Sequence, residues 1–116
     1  MSRARAVNRL MERYGQPVQL EFGRQTESAQ AFLQPLRYKN RMYVGGSQLD
    51  PGYVDGGHYL YIGPGGARLD LYPFDAVVRS DGQAYTVKRA EAYRLGEELL
   101  YIWAILQRME EETEDA

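Results

Sequence analysis

The sequence predicts a mainly β fold, a small antiparallel β-barrel or sandwich with one N-terminal α-helix. Three observations predict it. Among 116 residues there are 12 Gly and 10 Tyr, a turn-rich and aromatic-rich balance that favours strands. Asp81-Gly82 lies between two apolar-rich runs, and a two-residue type I′ turn needs positive φ at both central positions, which Asp and Gly tolerate. Residues 3–14 carry a helical period that the remainder of the chain largely lacks.

In the predicted helix, Val7, Leu10, Met11 and Tyr14 follow the i, i+3, i+4, i+7 spacing of a docking face. Arg5, Arg9 and Arg13 form an i, i+4 stripe on the other side. Ser2 is placed to cap the start, and Gly15 to end the helix in a left-handed conformation, with Pro17 beyond. A helix this short is marginal alone and must dock. A solvated face is the plainer reading of the stripe.

Val18, Leu20 and Phe22 alternate with polar neighbours and predict a half-buried strand ending at Gly23; residues 24–28 are polar and turn-like. A second strand is expected over Ala31-Phe32-Leu33, Leu36 and Tyr38. Pro35 removes a ladder donor there and implies an edge, a bulge or a bend. Residues 39–57 hold Gly45-Gly46, Asp50-Pro51-Gly52 and Gly56-Gly57, and are expected to form a long loop with little core. Tyr59 to Ile62 reads as a strand stopped by Gly63-Pro64-Gly65-Gly66. Leu69, Leu71 and Phe74 add a short run. Pairing outward from Asp81-Gly82 sets Val78 opposite Tyr85 and Ala76 opposite Val87, all on one face.

Leu99 to Leu106 fits two patterns. As a helix, Leu95, Leu99, Ile102, Leu106 and Met109 share a stripe, with Gly96 costing about 1 kcal/mol relative to Ala. As a strand, Leu99, Tyr101, Trp103 and Ile105 share one face and Leu100, Ile102, Ala104 and Leu106 the other, both buried. The β-branched and aromatic content and the turn at Leu95-Gly96 favour the strand. One domain is expected over 1–116: helix 1–15, β-body 16–107 and acidic tail 108–116.

Composition excludes several classes. With no Cys there is no disulfide framework, thiolate metal site or thiol nucleophile. The longest apolar run, Leu99 to Leu106, falls far short of the roughly 20 residues of a membrane span. The start MSRARAVNRLMERYG lacks the apolar stretch of a secretory signal. The net charge of −2 conceals a basic start (Arg3, Arg5, Arg9 and Arg13 against Glu12) and an acidic end (Glu110, Glu111, Glu112, Glu114 and Asp115 against Arg108). That arrangement favours local, directional contacts over general nucleic-acid affinity.

Catalytic signals are sparse. His58 is the only histidine and, without Cys, cannot build a common zinc site. Asp50, Asp55, Asp70 and Asp75 have no spacing that singles out an acid–base pair. Gly63-Pro64-Gly65-Gly66 lacks the Gly-Lys-Ser/Thr ending of a phosphate loop. Tyr59 and Tyr61 share a strand face as base-stacking rings do, but their neighbours are Asp55, His58 and glycines where a backbone-tracking module needs Lys and Arg. No enzymatic activity, metal or cofactor is expected.

Taken together, Tyr59-Leu60-Tyr61-Ile62-Gly63-Pro64, Asp81-Gly82-Gln83-Ala84-Tyr85-Thr86-Val87 and Arg89-Ala90-Glu91 through Leu100-Tyr101-Ile102-Trp103-Ala104-Ile105-Leu106 resemble the small neck proteins of tailed bacteriophages. The likeness is nearest to head-closure or minor capsid proteins of long-tailed phages and prophages, and covers roughly residues 57–107. It implies a ring homo-oligomer in the virion neck, assembled in the bacterial cytoplasm, between the portal or its adaptor and the tail proteins. Packaged double-stranded DNA would pass through the lumen. On that reading Arg5, Arg9 and Arg13 are candidate contacts to a neighbouring subunit or to DNA. Gly45, Gly46, Asp50, Tyr53, Asp55 and Gly57 form a candidate ring or lumen loop that orders on assembly. A tail-terminator, tube or baseplate position, or a generic protein-binding barrel, is the alternative.

Overall fold

The computed structural model describes residues 2–39, 42–44, 47–49 and 53–109, with side chains for 2–36 and 57–109. Helix α1 (Arg3–Tyr14) precedes strands β1 (Gln16–Phe22), β2 (Gln25–Lys39), β3 (Met42–Val44), β4 (Ser47–Leu49), β5 (Tyr53–Pro64), β6 (Val77–Ser80), β7 (Gln83–Leu95) and β8 (Glu98–Arg108). Six strands close an antiparallel barrel in the order β1-β2-β5-β8-β7-β6, and β3 and β4 pair separately. The predicted class therefore holds, as a barrel.

Period-2 alternation explains the interior. Val18, Leu20 and Phe22 of β1, Ala31 of β2, Tyr61 of β5, Val78 of β6, Tyr85 and Val87 of β7, and Ile102, Ala104 and Leu106 of β8 share one core. The β6–β7 hairpin turns at Asp81 (φ 51) and Gly82 (φ 78), with Val78 facing Tyr85 as expected. Ala76 falls just before the ladder yet is buried in the same core.

The strand reading of Leu99–Leu106 is the observed one: β7 and β8 form a hairpin through Gly96 (φ 63). Its two faces are not equally buried. Leu100, Ile102, Ala104 and Leu106 are buried, while Tyr101, Trp103 and Ile105 are half-buried on the outer side. Leu99 also leaves the face assigned to it. Tyr93 pairs with Tyr101 but Arg94 pairs with Leu99, so a bulge at Leu100 exchanges the faces and Leu99 packs on the core.

Three further expectations need correction. Residues 24–28 are not a turn: Gly23 (φ 55) and Arg24 (φ 65) make the whole reversal, and the polar run from Gln25 pairs with β1. Residues 39–57 are not all loop, because β3, β4 and the start of β5 lie within them; strand pairing needs backbone partners, not core side chains. Leu69, Leu71 and Phe74 occupy two single-turn 3₁₀ helices, Leu69–Leu71 and Pro73–Asp75, with Leu69 alone of the three buried. Pro35 behaves as anticipated: the β2–β5 register shifts between Pro35 and Arg37, and β1 pairs with β2 only up to Ala31.

Helix α1 packs against β2, β5 and β8. Ser2 Oγ accepts the Arg5 N–H at 3.1 Å, and the Ala4 N–H donates to Glu98 Oε1 at 2.6 Å, tying the helix start to β8. Gly15 ends the helix in an extended conformation (φ −77), not a left-handed one. It is required for close approach, since a methyl there would strike the Met11 carbonyl and the Ala31 backbone. The buried face is Ala4, Val7, Asn8 and Met11, one step round from the expected one; Leu10 and Tyr14 are exposed.

Candidate interaction surfaces

The arginine stripe survives intact. Arg5, Arg9 and Arg13 are all exposed along the outer side of α1, and Arg13 lies 5.4 Å from the centre of the exposed Tyr14 ring. None of the three has an acidic side-chain partner among the described residues.

The proposed loop set is described only in part. Gly45, Gly46 and Asp50 lie outside the described residues. Tyr53 and Asp55 belong to β5, paired with Lys39 and Arg37 of β2, and Gly57 belongs to the same strand with φ 76. There the barrel wall continues as an extension: β8 joins β5 only from His58, and β1 leaves β2 at Ala31, so from Arg37 to Lys39 and from Tyr53 to Asp55 the two strands pair with each other.

Beside α1 runs an open groove of about 850 Å³ across the outer side of β1 and β2, bounded by the β6–β7 turn. Asn8, Met11 and Glu12 form its helical wall, and Gln19, Ser28 and Arg79 are among the strand residues. Asn8 Oδ1 is buried there without a hydrogen-bond partner. Arg79 Nε donates to Glu21 Oε2 at 2.5 Å at the groove's far side.

Two surfaces escaped sequence reading. On the outer side of β7–β8, Tyr93 stacks on Tyr101 (4.9 Å between centres, 6° between planes), and Arg89 sits 5.7 Å from the Trp103 ring centre. Between β5 and β6, Phe74 is 99% exposed, with Leu71 at 57% and Tyr72 at 48%. The support beneath them is packed and hydrogen-bonded. Leu69 and Ala76 are buried at either end, Tyr72 meets the Phe22 ring at 6.1 Å, and Arg68 grips Asp70 through Nε (2.9 Å) and Nη2 (2.7 Å). That bidentate grip holds the Asp70 carboxyl below its ordinary range. The sequence signal is four apolar or aromatic residues within 69–74, a short run whose period does not tell which of them are exposed.

Tyr59 and Tyr61 point into the barrel and offer no stacking platform. Tyr59 packs edge-on against Tyr85 at 4.8 Å, and Tyr61 is fully buried. Burial, with the Glu27 charge adding, pushes the Tyr61 phenol far above its ordinary range; its hydroxyl has no partner. His58 faces Gln107 in the β5–β8 ladder, with Nδ1 buried and unpartnered. Among the described residues no three or more His, Asp or Glu side chains cluster as metal ligands, and no helix is long and apolar enough to cross a membrane.

These features define a small closed β-barrel with a helix docked outside and several exposed surfaces suited to macromolecular contact. Comparison with family models, with curated proteins and with solved structures gives no match.

Proposed function

We propose that this chain is a structural subunit of a phage-type head–tail connector, a neck ring that closes the head between the portal or its adaptor and the tail. The β2–β5 extension carries the reading. Among the described residues no third strand pairs with this ribbon beyond the barrel, and a two-stranded ribbon is marginal in water by itself, so a neighbouring molecule is the natural source of its stability. A closed ring supplies that neighbour through one head-to-tail contact repeated around an axis. The arginine stripe adds a directional element, facing acidic residues of an adjacent subunit or, on the lumen side, DNA phosphates. Each exposed pair contributes up to about 1 kcal/mol, and repetition around a ring multiplies it.

Electron microscopy of particles containing the protein is the test. Density for a ring of this chain at the head–tail joint is expected, with assembly of the Arg5→Ala, Arg9→Ala, Arg13→Ala triple variant failing at lower salt than the parent. A ring at the tail end or along the tube would move the chain to another tail position. Its absence from particles, with a monomer beside portal and tail partners, would sink the reading. The outer groove would then favour a peptide-binding barrel.

A further inference from the structure

We propose that the acidic segment 110–115 straps back onto Arg13 and Arg9 of its own chain, covering the end of the arginine stripe nearest β1. The inference goes beyond the ring reading and does not rest on it. Arg5, Arg9 and Arg13 stand in a row on the outer side of α1, about 6 Å apart per step, with no acidic side-chain partner among the described residues. Arg68, Arg79 and Arg89, by contrast, hold Asp70, Glu21 and Glu91. Residues 110–115 lie outside the described residues. Their sequence places Glu110, Glu111, Glu112, Glu114 and Asp115 directly after β8 and its neighbour Met109.

Contacts within the barrel set the reach. The Met109 N–H donates to the Ala84 carbonyl at 2.8 Å, and Ala84 faces Arg79 across the β6–β7 pair. The next residue, Ser80, accepts a hydrogen bond from Gln16 Nε2 and donates one to the Pro17 carbonyl, both at 2.8 Å. Three strand-to-strand steps of about 4.8 Å, roughly 15 Å in all, therefore separate the root of the segment from the start of β1. Arg13 lies three residues before Gln16, in the last turn of α1. The six residues from Met109 to Asp115 span up to about 21 Å when extended, enough for Arg13 and then Arg9 but short of Arg5. Glu12 and Asp81 line the groove between α1 and the β6–β7 turn, so an acidic segment is kept off its floor and passes over the rim to the arginines. Exposed pairs are individually weak, and a short tether offsets this with an effective concentration of about millimolar. The strap withholds Arg9 and Arg13 from other carboxylates and phosphates until salt or a partner displaces it.

Arg5→Lys, Arg9→Lys and Arg13→Lys, combined in one chain, keep the charge and supply amines that a carbodiimide joins to a touching carboxylate without a spacer. Lys88 is exposed beside Val87, which faces Leu106 near the root, and serves as the internal reference. Peptide mapping of the cross-linked monomer at about 0.02 M salt should find segment 110–115 joined to positions 13 and 9 about threefold or more above position 5 and Lys88, with the excess lost at about 0.5 M salt. In a chain that keeps its arginines, Glu110→Gln, Glu111→Gln, Glu112→Gln, Glu114→Gln and Asp115→Asn together should shift the Arg9 and Arg13 resonances at low salt and leave those of Arg5 in place. Joining to Lys88 alone, or equally at 5, 9 and 13, overturns the strap. Joining to 9 and 13 only in covalent dimers overturns it in favour of a neighbouring copy's segment. Arg9 and Arg13 resonances that ignore the five replacements also overturn it, on the unaltered stripe.

Discussion

At the scale of single residues, Tyr61 and Gly63 form a coupled pair. Both point into the barrel two positions apart on β5, and a methyl at Gly63 would overlap the Tyr61 ring and hydroxyl. Gly63→Ala therefore over-packs the core and should cost about 1–3 kcal/mol, read as a lower urea midpoint at unchanged slope. Tyr61→Phe should go the other way. The hydroxyl is buried without a partner, so deleting it leaves stability unchanged or raises it by up to about 1 kcal/mol. The same burial makes a pH prediction. In the fold the phenol stays protonated, whereas the unfolded chain ionises from about pH 10. The unfolded state then binds fewer protons, so stability is complete below that pH and falls as pH rises beyond it. In an alkaline titration followed by circular dichroism, the Tyr61→Phe barrel should hold to higher pH than the parent.

At the scale of elements, the position of α1 decides which of its apolar residues matter. Met11 is 1% exposed and Leu10 is 52% exposed. Met11→Ala should cost about 2–5 kcal/mol and Leu10→Ala less than about 0.5 kcal/mol in chemical denaturation. Equal costs would return the helix to the face its periodicity first indicated. That periodicity could not choose, because Val7 and Met11 belong to both stripes; the choice falls to Ala4 and Asn8, which a hydrophobicity pattern does not count. Other elements were legible for clear reasons. Asp81-Gly82 fixed a hairpin because its backbone demand is local, and β8 could be told from a helix by its β-branched and aromatic content. The turn at Gly23-Arg24 was not legible, since Arg is an uncommon left-handed residue and nothing in the polar run after it marks a strand. Neither were the two bulges, at Lys88 and Leu100, which shift register without a sequence mark. Of the candidate surfaces, the arginine stripe was readable from spacing alone. Phe74 was not, because nothing in the run from 69 to 74 marks Leu69 as its one buried member.

At the scale of the whole molecule, the barrel is unevenly stitched. The β7–β8 hairpin pairs along most of two long strands, whereas closure between β1 and β6 rests on Gln19, Leu20 and Glu21 facing Arg79, Val78 and Val77. The Arg79–Glu21 ion pair on that junction is exposed and contributes about 1 kcal/mol at most. In native-state hydrogen exchange, amides of Gln19 and Arg79, which face each other across the junction, should open at lower free energy than those of Glu91 and Trp103 in the long hairpin. Uniform protection around the wall would contradict this.

Closure between strands more than fifty residues apart also gives the molecule a preferred way to come undone. When the β6–β7 hairpin peels from β1, each molecule displays two bare strands whose register suits the other's. At high concentration under mildly denaturing conditions, one molecule's hairpin can complete its neighbour's wall, giving an interlocked, strand-exchanged pair with every native contact kept and its connectivity altered. Such a species would dissociate only as slowly as the barrel unfolds.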